Sequence, residues 1–182
     1  MSRKIITGES LLGVASVLEH KKSHESALWS FATTVYADPA VSRAALKAQD
    51  DAGLDVNLLL FAAWLATRGV GLDVALLERA EARSRPWRQE VVRPLRRLRR
   101  SWKERPPHES AYGAIKDLEL VAERKQLAFL EELVAPGSEV TGVDEAGARL
   151  TGNLRALCLF YGADGSALAA FEAAVYAALD DG

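Results

Sequence analysis

The chain has 182 residues, 49% of them hydrophobic, and a formal net charge of −2. That length and apolar content allow one hydrophobic core and exclude a disordered chain. The single cysteine, Cys158, excludes an internal disulfide, and the longest apolar run, Leu58–Ala66, is far short of the ~20 residues of a membrane span. These features fit a soluble protein of a reducing cytoplasm with no membrane partner.

Residues 1–25 imitate a signal peptide only faintly, because Glu9 interrupts the apolar region and no small-x-small cleavage site follows. They read as an N-terminal extension, a frayed lead-in or a short docking helix, ahead of one helical domain over 26–182. His20 and His24 stand at i, i+4, a spacing some metal pairs use, but no third ligand accompanies them. No metal and no cofactor is expected.

Helical signals then recur and strand signals do not. Ser23 or Ser26 caps a first helix carrying Leu28, Trp29, Phe31, Val35 and Tyr36. Asp38-Pro39 ends it, and Pro39 opens a second helix that runs to about Ala52, where Gly53 stops it. Asp50, Asp51 and Asp55 imitate an aspartate-rich magnesium motif, yet they read more simply as a helix end followed by an N-cap. Asp55 caps a third helix, VNLLLFAAWLATRG, which is apolar nearly all round and belongs at the centre of a bundle. Asn57, Trp64 and Arg68 share one stripe of it. They either fix helix register through internal bonds or line a cleft for a ligand.

Asp73 caps a short fourth helix, Val74–Ser84. Pro86 opens a fifth, Pro86–Glu104, and Pro94 kinks it. After the Pro106-Pro107 break, a sixth helix over about 108–134 places Ile115, Leu118, Ala122, Phe129 and Leu133 on one face. Pro136-Gly137-Ser138 is a loop. A seventh helix groups Leu150, Leu154, Leu157 and Tyr161, and an eighth, capped by Ser166, groups Leu168, Phe171, Val175 and Leu179. The fold expected is an all-α, single-domain helical bundle of about seven to eight helices.

Charge is segregated along this chain. Residues 83–105 carry ten Arg/Lys against two Glu, a surplus of eight. The remainder carries thirteen basic against twenty-three acidic residues, a deficit of ten. On a helical wheel the fifth helix gathers Arg88, Arg93, Arg96, Arg97 and Arg100 on one half and Trp87, Val91, Leu95, Leu98 and Trp102 on the other. Three readings of the basic half stand open. It is neutralised by the acidic sixth helix, or it docks an acidic protein partner, or it binds RNA. Against RNA stand the tryptophans on the opposite face and the acidic body.

The strings LWSF at 28–31, LKAQD at 46–50, GLDVNLLL at 53–60 and PWRQEVVRPLR at 86–96 resemble a bacterial family of short helical proteins classed as a domain of unknown function. The resemblance is dense over about 28–100. It implies no activity, no catalytic residue and no cofactor. The function expected is therefore that of a non-enzymatic cytoplasmic interaction protein docking through the five arginines. Alternatives are an RNA-binding accessory protein, or a ligand binder or enzyme with a cleft near Asn57.

Overall fold

A computed structural model describes residues 26–104, 109–135 and 142–180. The expectations for residues 1–25, His20, His24, the Pro106-Pro107 break and the Pro136–Ser138 loop lie outside the described residues. Within them the chain is all-α, with no strand. The helices are α1 (Ala27–Tyr36), α2 (Pro39–Ala52), α3 (Val56–Thr67), α4 (Val74–Trp87), α5 (Arg93–Glu104), α6 (Glu109–Glu131), α7 (Val143–Tyr161) and α8 (Ser166–Asp180).

Local chemistry sets most boundaries where the sequence places them. The Ser26 hydroxyl accepts from the Trp29 N–H, Asp38 caps α2, Asp55 caps α3 and Asp73 caps α4. Gly53 ends α2 with φ +67°, a left-handed conformation open to glycine at no steric cost. The eighth helix starts differently from expectation. Ser166 is already its first residue, and the preceding Asp164 carboxylate accepts from the Ser166 N–H.

α3 is the centre of the bundle. Every residue from Val56 to Ala66 is buried, so the helix has no solvent face. α7 packs along α3 and α8 along α2, closing the core with Leu150, Leu154, Leu157, Leu168, Phe171 and Val175. Asn153 of α7 is 2% exposed. Its carboxamide accepts from the Leu72 N–H and donates to the Ala62 and Val70 carbonyls, tying the loop after α3 to α3 and α7 and satisfying loop backbone groups at Val70 and Leu72.

Two expectations are corrected. Helices four and five do not separate at Pro86. The chain continues through Pro86 to Trp87, makes a π-helical turn over Arg88–Val92, and proceeds as α5, so α4, the turn and α5 form one rod. The carbonyl that Pro86 leaves without its helical partner belongs to Ala82, an exposed residue that water can reach. The second correction concerns α6. Leu118 is 53% exposed and Ile115 and Phe129 are only half-buried. The face turned to the core instead carries Glu119, Ala122, Gln126, Leu127 and Leu130. Apolar periodicity points to the wrong stripe because two polar residues occupy the inner one.

Candidate functional site

The acidic and basic elements meet where the rod of α4 and α5 crosses the α2–α3 corner and lies along α6. Arg88, placed by the helical wheel on the basic half, is buried at 6% exposure. Its Nη2 donates to both carboxylate oxygens of Glu81, at 2.9 and 3.0 Å, and its Nε stands 3.4 Å from Asp55 Oδ2. The Tyr161 hydroxyl donates to the same Glu81 carboxylate. Burial opposes the charge on Arg88, but Asp55 and Glu81 outweigh it and hold the guanidinium protonated. Burial, reinforced by Glu81, raises the Tyr161 hydroxyl far above its ordinary value and keeps it a donor. One part of the fork stays unused: Arg88 Nη1 and Nε are buried with no hydrogen-bond partner among the described residues.

Arg96 and Arg99 turn to α6. Arg96 Nε donates to Glu119 at 3.2 Å, its Nη2 donates to Glu123, and its Nη1 donates to the Gln49 side chain at 2.6 Å. Arg99 donates to both oxygens of Glu119. Burial opposes ionisation of Glu119, but hydrogen bonds from Arg99 and Arg96 together prevail and hold its carboxyl below the ordinary value. Glu123, one turn on, goes the other way. Burial pushes its carboxyl up, and its single arginine, Arg96, does not offset this. The sixth helix thus neutralises part of the basic helix.

It does not neutralise the rest. Arg93 and Arg97 are exposed and meet no carboxylate among the described residues, and Arg100 stands 3.9 Å from the exposed Asp50. Together with Arg88 and Arg96 they line one cleft of about 240 Å³, whose other wall is Gln49, Gly53 and Asp55 at the α2–α3 corner. All five arginines singled out from the sequence therefore converge on one place.

The π turn explains the convergence. On a straight α-helix with Arg88 at 0°, Arg96, Arg100, Arg93 and Arg97 fall between about 80° and 180°. The π turn closes with the Arg93 N–H on the Arg88 carbonyl, an i→i+5 bond that accommodates one extra residue. α5 is set back by about 100°, which moves the four arginines to between about −20° and 80°. They now flank Arg88 instead of turning away from it. No pattern in the sequence announces the π turn, although Pro94 lies directly after it.

The residues proposed for a ligand cleft on α3 separate. Asn57 lines a groove of about 530 Å³ between α1, α3, α5 and α6, whose apolar walls include Tyr36, Leu46, Leu60 and Leu120. Its Nδ2 donates to Gln126 at 3.0 Å, and Gln126 donates to Asp55, so its amide is tied into an internal chain. Trp64 and Arg68 do not share that groove. They lie toward the other end of α3, about 10 and 16 Å from Asn57 at the helical rise, where the Arg68 guanidinium sits 4.9 Å over the Trp64 ring. The aspartate triplet is likewise divided. Asp51 pairs with Lys47, Asp50 faces Arg100, and Asp55 caps α3.

A family model described as a protein of unknown function, DUF2390, matches residues 27–130. The chain belongs to this family. The matched segment runs from α1 through nearly all of α6, and so contains the whole arginine cleft and both glutamates that pair with Arg96. Tyr161 comes from outside it. No curated protein and no solved structure matches the chain. No described helix is long and apolar enough to cross a membrane.

Proposed function

We propose that this is a non-enzymatic interaction protein that holds an acidic segment of a protein partner in the arginine cleft. The observation that carries this reading is the division of the arginines. Arg88, Arg96 and Arg99 are held by internal carboxylates, while Arg93 and Arg97 line a concavity with no ion pair among the described residues, and Arg100 beside them has only the exposed Asp50 at 3.9 Å. Arginine suits such a role because its planar fork pairs with oxyanions in two-point geometry. One feature favours an acidic protein over RNA: no aromatic ring lines the arginine cleft for base stacking.

The test is fluorescence anisotropy of a labelled oligoglutamate peptide with the full chain. Binding is expected to weaken as salt rises. It should fall at least about tenfold, or ~1.4 kcal/mol, when Arg93, Arg97 and Arg100 become Gln. Equal binding by that variant, or tighter arginine-dependent binding of single-stranded RNA, contradicts the reading.

The groove beside Asn57 favours a second reading, a binding site for a small amphipathic molecule. Its walls are mainly apolar, and Arg100 and Lys116 stand on its rim. Anilinonaphthalene sulfonate fluorescence tests this. Enhancement by the full chain should be lost in Leu120→Asp, and an unchanged signal removes the reading.

A further inference from the structure

Resting on the docking reading above, we infer that the anion recognised in the cleft is a phosphate dianion, carried on a phosphorylated side chain of the partner. Three observations carry this beyond acidity in general. The first is the number and direction of donors. Five guanidinium groups line about 240 Å³. Arg96 spends its donors on Glu119, Gln49 and Glu123, but Arg93 and Arg97 keep theirs, two forks where a carboxylate is satisfied by one. A tetrahedral dianion with three free oxygens uses donors arriving from several turns, which is what the π turn assembles.

The second is Arg88. It is a charged side chain 6% exposed beneath the cleft, fixed at Nη2 by Glu81 and paired through Nε with Asp55, with Nη1 buried and lacking a hydrogen-bond partner among the described residues. A buried cationic N–H without an acceptor is costly to leave so. Nη1 is out of contact with the cleft, so an oxyanion drawn in by Arg93 and Arg97 supplies that acceptor once the side chains covering Nη1 give way, and Glu81 already holds the guanidinium in place.

The third is size and charge balance. The cleft is smaller than the usual pocket for a drug-sized ligand, so it accommodates a head group on a short stem. Within it Asp55, the single carboxylate of the lining, is already engaged by Arg88. Arg88 and Arg96 are balanced by Glu81, Glu119 and Glu123 behind the lining, so the excess rests on Arg93 and Arg97, and two adjacent cations suit one doubly charged group better than charges spread along a chain.

The experiment follows the arginine Nε–Hε correlations of the ¹⁵N-labelled full chain by NMR while inorganic phosphate, O-phosphoserine, acetate, glutamate or oligoglutamate is added. The expected result is that phosphate and O-phosphoserine move the Arg93 and Arg97 signals and bind at least about tenfold more tightly than acetate and glutamate. The Arg93→Gln/Arg97→Gln variant alters exposed residues only, and should keep its thermal midpoint while losing phosphate affinity at least tenfold. Arg88→Lys, which retains a cation beside Glu81 but removes the free fork, should weaken phosphate when it folds. The exposed pair decides the matter when it does not.

If oligoglutamate binds through the same arginines as tightly as O-phosphoserine does, the phosphate inference falls and the docking reading stands. If no anion moves these signals, both fall. Unchanged phosphate affinity in the Arg93→Gln/Arg97→Gln variant, or arginine-dependent RNA binding tighter than O-phosphoserine, overturns the inference.

Discussion

Arg88 and Arg97 are nine residues apart on one rod, yet they answer to different physics. Arg88 lies among Glu81, Asp55 and Tyr161 out of water, so truncating it leaves two carboxylates without their cation. Arg88→Ala is expected to cost about 3–5 kcal/mol in urea denaturation. Arg97→Ala, at an exposed position without an ion pair, should stay within ~0.5 kcal/mol. The α6 glutamates give a pH signature of opposite signs. Glu119 is held below its ordinary 4.5, so its contribution is complete above that pH and is lost as pH falls through the lowered folded value. Glu123 is held above 4.5, so the folded state binds the proton more readily, and its contribution is lost as pH rises from 4.5 through the raised value. Stability measured by denaturation across this range should show the acid-side loss reduced in Glu119→Gln and the loss on raising pH reduced in Glu123→Gln. The sequence marks all these residues as charged. It does not reveal their burial, because an arginine sealed with a glutamate and one in water carry the same letter.

At the scale of the element, the rod of α4, π turn and α5 makes the site. Proline at 94 lacks an N–H and crowds the carbonyl one turn back, and the chain widens over Arg88–Val92 directly before it. Pro94→Ala removes that reason for widening. With the turn closed to α, α5 rotates by about 100°, and Arg93, Arg97 and Arg100 leave the azimuth of Arg88. The expected outcome is a loss of anion affinity although no arginine is changed, together with less stabilisation than the ~3 kcal/mol that replacing proline gives in a plain helix interior. Anion affinity equal to the parent would refute this account of the turn. The caps Ser26, Asp55 and Asp73 and the stop at Gly53 were legible in the sequence, because each rests on a bond made within a few residues; Asp38, read only as the end of the first helix, also caps α2. The face of α6 was not legible. Glu119 and Gln126 are buried through Arg99, Arg96, Asn57 and Asp55, all far along the chain.

Across the whole molecule, the all-apolar α3 dictated a bundle around itself, and that much followed from composition alone. The charge segregation followed from where the charges fall along the chain, but its meaning depended on packing. Part of the surplus on residues 83–105 is neutralised by α6 and by Glu81 and Asp55, and part is left open. The arginines thus divide into a sealed set and an open set around one cleft. Arginine modification by phenylglyoxal, followed residue by residue with mass spectrometry in the presence and absence of phosphate, tests this division most directly. Arg93, Arg97 and Arg100 should react quickly and be slowed by phosphate, while Arg88 and Arg96 should react slowly throughout. Equal rates at Arg88 and Arg97, or an Arg97 rate indifferent to phosphate, would contradict the account.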